Sequence, residues 1–171
     1  MTTGGGGDGF AVMDNYLSML ESANQIPFKS ILITGPFMPK QKRKKVFKRA
    51  RKLGVRTYHF YRQMEKIFAA ADIVVSMGGY NTLCEILSQG TLSLVIPRET
   101  PRKEQLIRAR TFQRQNLVDY IPWGDFTPDV LGQKLMSIMD DPQPYLDAIS
   151  RFRLTGIEAM QKRLREFRCK K

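Results

Sequence analysis

Apolar positions along the chain alternate between short continuous runs and longer stretches with helical spacing. The runs are Ser30–Thr34 (SILIT), Val55–Phe60 (VRTYHF), Ile73–Val75, Leu92–Ile96 and Leu117–Ile121. Between them, Val46, Ala50 and Leu53 share one helical face, as do Leu83, Ile86 and Leu87, and again Leu131, Leu135, Ile138 and Met139. Turn signals separate the segments: Gly35-Pro36, Gly54 as a helix C-cap, Gly78-Gly79, Pro97, Pro122-Trp123-Gly124 and Asp141-Pro142. Thr127-Pro128 supplies a capping hydroxyl and a proline at the first helical position. Ile149, Phe152, Ile157, Met160, Leu164 and Phe167 give a last helix with a sustained stripe, expected to pack across the domain. Strands alternating with helices at this spacing predict a parallel sheet covered on both faces, a doubly wound α/β fold.

The start of the chain, MTTGGGGDGF, departs from that alternation. A glycine loop runs directly into a helical pattern carried by Asp14, Tyr16, Leu17, Met19, Leu20 and Ala23. Such loops normally follow a strand, and here the strand is expected to be absent or reduced to Thr2 and Thr3. The expectation is therefore a fragment cut at or inside its first strand, or a fold in which another segment replaces that strand.

The chemistry concentrates between Asp72 and Gln105, read as strand, glycine turn, helix and strand. The first turn of a helix carries unpaired N–H groups and the positive end of the dipole, so it favours an anion. Glycine lets that anion approach the main chain. Asn81 and Thr82 can cap the helix or donate to a phosphate. Glu85 lies one turn further on, on the same side, where a carboxylate suits two sugar hydroxyls. Phosphate at the turn and ribose at Glu85 make a nucleotide-shaped site, whereas the plainer alternative is an ordinary strand-to-helix turn with a solvated glutamate. Gly4–Gly9, Phe60–Met64, Gly78–Glu85 and Pro97–Gln105 all fall at the carboxyl ends of expected strands, where doubly wound sheets bind ligands.

Composition narrows the class without choosing a ligand. The 171 residues fit one domain, with 42% apolar and 26% charged residues. No apolar run reaches the ~18 residues of a membrane span, no secretory signal is legible, and Cys84 and Cys169 lack metal or redox spacing. A reducing cytoplasm is the expected compartment, and neither a metal nor a cofactor is called for. His59, inside an expected strand, reads as packed rather than catalytic. The formal charge of +12 attracts nucleotides, nucleic acid or anionic lipid without selecting among them. Much of it lies in Lys40–Lys52 (KQKRKKVFKRARK), read as a helix with a strongly solvated face or as a contact with RNA or an anionic membrane through Lys42, Arg43, Lys44 and Lys45. Nucleic acid is not the expected main partner.

With these four loops in place, the chain resembles the C-terminal, donor-binding domain of GT-B glycosyltransferases. It is most similar to family 28, which includes the UDP-GlcNAc transferase of peptidoglycan lipid synthesis. The likeness runs from Gly4 to about Asp141 and is carried by Phe60-x-x-x-Met64, AAADIVVSMGGYNTLCE and the proline-to-glutamine loop, in order. It implies a Rossmann-like half-domain, here residues 1–171 as a single domain, lacking the N-terminal acceptor domain it would work with in cis. By resemblance, Phe60 and Met64 pack around a uracil, main-chain groups near Tyr61 read its edge, and Glu85 binds the ribose. Gly5, Gly6, Gly7 and Gly9, with Gly78, Gly79, Asn81 and Thr82, match the loops that hold the diphosphate. Glu104 and Gln105 match a polar pair that orients the donor sugar.

The pattern also departs from the family. Gly7-Asp8 stands where the peptidoglycan enzyme has a hydroxyl residue and a neutral one, so Asp8 would repel a phosphate unless it points away. Glu104 replaces an amide, so the sugar need not be N-acetylglucosamine. The resemblance implies a hexosyltransferase donor domain, cytoplasmic and peripheral on the inner membrane face, whose catalytic base lies in the missing half. The same cradle serves UDP-sugar hydrolases and epimerases, and a non-catalytic basic module is the alternative from a different class.

Overall fold

Met1 and Thr2 fill the centre of the sheet. The Met1 amine donates to the Ile31 carbonyl at 2.7 Å, and the Ile33 N–H donates to the Met1 carbonyl at 3.0 Å. On the other side the Thr2 N–H donates to Val75 O at 2.9 Å. The strand expected before the glycine loop is thus a single parallel bridge, Thr2 to Ile33. This computed structural model describes residues 1–23 and 28–168.

Parallel strands build outward from that stub. On one side β1 (Ile31–Ile33) pairs with β2 (Arg56–Tyr58), and on the other β3 (Ile73–Ser76) pairs with β4 (Leu92–Val95), which pairs with β5 (Asp119–Tyr120). The chain leaves the stub toward β1 and β2 and returns past it to β3. The strand order therefore reverses beside Thr2, which makes a topological switch point there. All of β4 and most of β3 are buried, as their continuous apolar runs require in a sheet covered on both faces.

Helices connect the strands: α1 (Phe10–Ser22), α2 (Lys40–Lys52), α3 (Met64–Ala69), α4 (Tyr80–Ser88) and α5 (Glu104–Gln113). A 3₁₀ turn at Trp123–Asp125 precedes α6 (Pro128–Asp140), α7 (Gln143–Arg151) and α8 (Gly156–Arg168). α1 packs on α2 and α6, and α3 packs on α4. Val12, Met13, Leu17, Leu32, Leu83, Leu94 and Ile138 are among the side chains of the one buried core. Thr127 caps α6 as its sequence indicates, accepting from the Val130 N–H at 3.3 Å. Gly54, at φ +67°, closes α2.

Three expectations fail. The apolar stripe from Ile149 to Phe167 is not one helix: it breaks between Arg151 and Gly156, around a Thr-Gly pair of low helix propensity. α8 does not pack across the domain either, since Ile157, Met160, Leu164 and Phe167 are 61–70% exposed. His59 lies just past β2, exposed rather than packed, with a ring nitrogen 3.0 Å from Arg43 Nη1. The β2 pairing ends at Tyr58, whose carbonyl accepts from the Thr34 N–H at 3.1 Å. Cys169, and the basic tail beyond Arg168, lie outside the described residues.

Candidate functional site

Two adjoining clefts open at the carboxyl ends of the strands. The first, about 240 Å³, is lined by Phe60, Tyr61, Met64 and Phe68 on its apolar side and by Thr82 and Glu85 on its polar side. The second, about 490 Å³, is lined by Gly4–Gly7 and Asp8, by Gly79–Thr82, and by Gln105. Gly4, Gly5 and Thr82 border both, so the two clefts form one continuous site. A larger cleft of about 560 Å³, bordered by Tyr16, Phe28, Ile31, Ile73 and Leu135, lies at the opposite ends of the strands. Its lining is mainly apolar, and it gathers none of the candidate site residues except Met64.

The loop geometry explains why glycine recurs. Gly6 sits at φ +85°, and a Cβ there would overlap the Thr34 carbonyl. The glycine loop consequently lies flat against the end of β1, with Phe37 N–H donating to Gly5 O at 2.7 Å. Gly78 sits at φ +75°, where a Cβ would come within 2.7 Å of Val95 Cγ1. That turn brings the chain from buried β3 directly into α4.

The cleft floor is therefore made of helix starts. α1 begins at Phe10, immediately after the Gly4–Gly9 loop, and α4 begins at Tyr80. Leu83 N–H is the first in α4 to find an intrahelical acceptor, Gly79 O at 3.0 Å, which leaves the N–H groups of Tyr80, Asn81 and Thr82 free to face the cleft. Asn81 and Thr82 do not cap the helix, contrary to one of their two expected roles. Gly79 holds the N-cap position with no side-chain hydrogen bond. The N-terminus of α4 with its free amides, facing the glycine loop that leads into α1, makes a site for a polyanion.

Most of the residues singled out in the sequence come together, while Gly9, Gly78 and Glu104 line neither cleft. Phe60, Tyr61, Met64 and Glu85 share the smaller cleft; Gly5–Gly7, Gly79, Asn81, Thr82 and Gln105 share the larger. Gly9 and Gly78 sit behind it, buried at the starts of α1 and α4. Glu104 borders neither cleft, because its carboxylate is drawn to Arg98 Nη2 at 3.3 Å. Asp8 is likewise paired, accepting from Arg98 Nη1 at 2.9 Å.

Two arginines were missed in the sequence. Arg98 holds Asp8 and Glu104 and donates its backbone N–H to Gln105 Oε1 at 2.9 Å. The Asp8 hydrogen bond raises the Arg98 pKa above the already high arginine value, against the opposing effect of burial. Arg108 Nη1 donates to Gly78 O at 2.7 Å while its guanidinium lies 5.5 Å from the centre of the Tyr80 ring. Both could have been suspected only from their being basic residues near the proline-to-glutamine loop.

Among the described residues no group of histidine, cysteine and carboxylate side chains is arranged to hold a metal. The site offers amides, hydroxyls, a carboxylate and an apolar shelf.

This arrangement matches a known family. The model of the glycosyltransferase family 28 C-terminal domain matches residues 3–164. The chain belongs to that family. A UDP-N-acetylglucosamine--N-acetylmuramyl-(pentapeptide) pyrophosphoryl-undecaprenol N-acetylglucosamine transferase of Lachnoclostridium phytofermentans is 29% identical over 89 residues, 51% of this chain and 25% of that protein. The protein of the same description from Streptococcus pneumoniae serotype 19F is 32% identical over 83 residues, 47% of this chain and 24% of its own. The aligned region thus spans about a quarter of these relatives. Among solved structures, Acinetobacter baumannii MurG superposes with a TM-score of 0.74 at 16% identity, covering 96% of this chain and 49% of that one. The glycosyltransferase VinC in complex with dTDP superposes at 0.64 and 15% identity, covering 88% of this chain and 35% of VinC. These likenesses establish a Rossmann-like GT-B half-domain.

Proposed function

We propose that this domain binds the nucleotide-sugar donor, a UDP-sugar, for transfer of its hexosyl group to an acceptor held by a second domain. The observation that carries the reading is the continuity of the two clefts. An apolar shelf with a carboxylate beside it opens directly onto the glycine loop and the N-terminus of α4, the order in which a base, a ribose and a diphosphate are joined. The stacking that a base gains on such a shelf is worth ~1–3 kcal/mol. A neighbour of the same fold is complexed with dTDP, another pyrimidine nucleoside diphosphate.

The chemistry this supports is departure of the diphosphate. As the glycosidic bond breaks, negative charge grows on the leaving phosphate and positive charge grows on the sugar ring. The Gly4 and Gly6 N–H groups are taken by Thr2 Oγ1 and the Thr3 carbonyl, so it is the free N–H groups at the start of α4 that stabilise the developing charge without reorganising. Glu85 holds the ribose and so fixes the phosphates relative to the amides. Gln105, on the cleft wall, is placed to hold the sugar. The base that activates the acceptor belongs to the partner domain, so the chain alone takes up UDP weakly and transfers nothing.

A lipid acceptor gives the basic surface a use. The curated relatives are described as acting on a pyrophosphoryl-undecaprenol compound, and α2 exposes Lys42, Lys44 and Lys45. Arg43 is less available, since it is engaged with His59 and the Met38 carbonyl. We assign these lysines the accessory role of holding the domain at an anionic, cytoplasmic membrane face.

An amide-shift titration separates the readings. UDP should move Phe60–Met64 and Gly78–Glu85 at concentrations where ADP and a short RNA do not, and with modest salt dependence. Equal shifts from all three ligands, centred on Lys40–Lys52 and abolished by salt, would replace this reading with that of a basic surface.

A further inference from the structure

Asp8 puts a carboxylate on the rim of a cleft otherwise floored by N–H donors. Unopposed, that charge would work against every anion the helix starts attract. It is not unopposed. Arg98, 90 residues away in sequence, reaches it from the carboxyl end of β4 with Nη1 at 2.9 Å. The same guanidinium takes Glu104 at 3.3 Å, and the Arg98 backbone N–H fixes the Gln105 side chain at 2.9 Å. One residue thereby joins the glycine loop to the loop on the opposite wall. Arg98 Nε is buried without an acceptor among the described residues, so the side chain is held where its terminal nitrogens find partners and at some cost to its inner one.

We propose that the Arg98 side chain is the positioning group that lets this cleft accept a diphosphate: it neutralises Asp8 and ties the two walls together, while the Arg98 backbone N–H, kept in every variant, holds Gln105. This rests on the donor-site reading above. Its partners distinguish it from a surface staple. Asp8 and Gln105 both line the phosphate cleft, whereas no Arg98 contact reaches the cleft that holds Phe60 and Glu85. Arg98 should therefore act on the phosphate part of a ligand and leave the nucleoside part alone. A lysine replaces it only in part, because an ammonium lacks the planar fork that spans the two carboxylates.

The test is a set of binding titrations with uridine, UDP and inorganic pyrophosphate on the full chain, each variant first checked by thermal melting. Arg98→Ala should weaken UDP and pyrophosphate tenfold or more while uridine changes less than twofold. Arg98→Lys should fall between. Adding Asp8→Asn to Arg98→Ala should recover most of the loss, because the carboxylate that needed neutralising is gone. An equal loss for uridine and UDP, or no recovery with Asp8→Asn, overturns the proposal. If the unaltered chain binds pyrophosphate but prefers no nucleotide over it, the nucleoside reading fails while the Arg98 series still decides this one. Binding of neither ligand overturns both.

Discussion

Arg108 on α5 donates to the Gly78 carbonyl at 2.7 Å, across 30 residues of sequence. Gly78 is the residue at which β3 turns into α4, so this hydrogen bond fixes the direction in which α4 presents its free amides. The bond is partly buried and charge-assisted, and such bonds contribute ~1.5–3 kcal/mol. Arg108→Ala should lower stability by about 1–2 kcal/mol, a drop of roughly 2–8 °C in melting temperature for a chain of this size. It should also weaken UDP more than uridine, since the tilt of α4 matters to the phosphates. A melt and two titrations check this. An unchanged melting temperature would show that the turn holds itself.

Glu85 is exposed on α4 and faces the smaller cleft with no partner of its own among the hydrogen bonds described. A carboxylate left free at that place is available to a diol. Glu85→Gln should cost UDP about tenfold in affinity, or ~1.4 kcal/mol. The sharper measurement compares UDP with 2′-deoxy-UDP. The unaltered chain should prefer UDP, and Glu85→Gln should abolish most of that preference, because the lost hydrogen bond is to the ribose hydroxyl. A preference that survives the substitution would place the ribose elsewhere.

How much of this was legible beforehand follows from how far apart the interacting residues lie. The strand-turn-helix from Ile73 to Ser88 is local, and its apolar run, glycines and helical face announced it. That Phe60, Met64 and Glu85 share one cleft was legible as well, since each belongs to a short motif at the carboxyl end of a strand. Arg98 and Arg108 were not, because their partners Asp8 and Gly78 are brought to them only by the sheet. The orientation of Glu104 was missed with them: its pattern position says sugar, but its nearest cation is Arg98. α8 was misjudged because an apolar stripe specifies that a face exists, not that anything covers it.

The α1–α2 contact makes stability sensitive to acid. Arg49 on α2 donates to both oxygens of Glu21, at 3.0 and 2.7 Å, and also engages Asp14 and Ser18 on α1. These hydrogen bonds hold the Glu21 carboxyl below its ordinary value of 4.5. A depressed carboxylate stabilises the fold above its unfolded value, and that contribution is lost as pH falls through the folded one. The Glu21 contribution should therefore be constant from neutral pH to about pH 5. Below that it should fade. Because the side chain is 44% exposed, its size should stay below about 1 kcal/mol. Urea denaturation of Glu21→Gln against the unaltered chain at pH 7 and pH 3.5 checks this: the gap between them should be smaller at the lower pH. A gap that persists in acid would mean that packing, not charge, carries the difference.

α8 should be dispensable for both folding and nucleotide binding. Ile157, Met160, Leu164 and Phe167 recur along one side of the helix, yet all are exposed, and among the described residues none beyond Phe152 packs on the core. The residues lining the two site clefts end at Gln105. Deleting residues 156–171 should then shift the melting temperature by no more than about 2 °C, the scale of a surface change of ~0.5 kcal/mol. UDP affinity should be unchanged, and self-association should decrease as an exposed apolar stripe is removed. Differential scanning calorimetry with an NMR titration of the shortened chain measures all three. A fall of 5 °C or more, or loss of a cooperative transition, would mean that in solution α8 folds back onto the domain and buries the stripe that this structure leaves open.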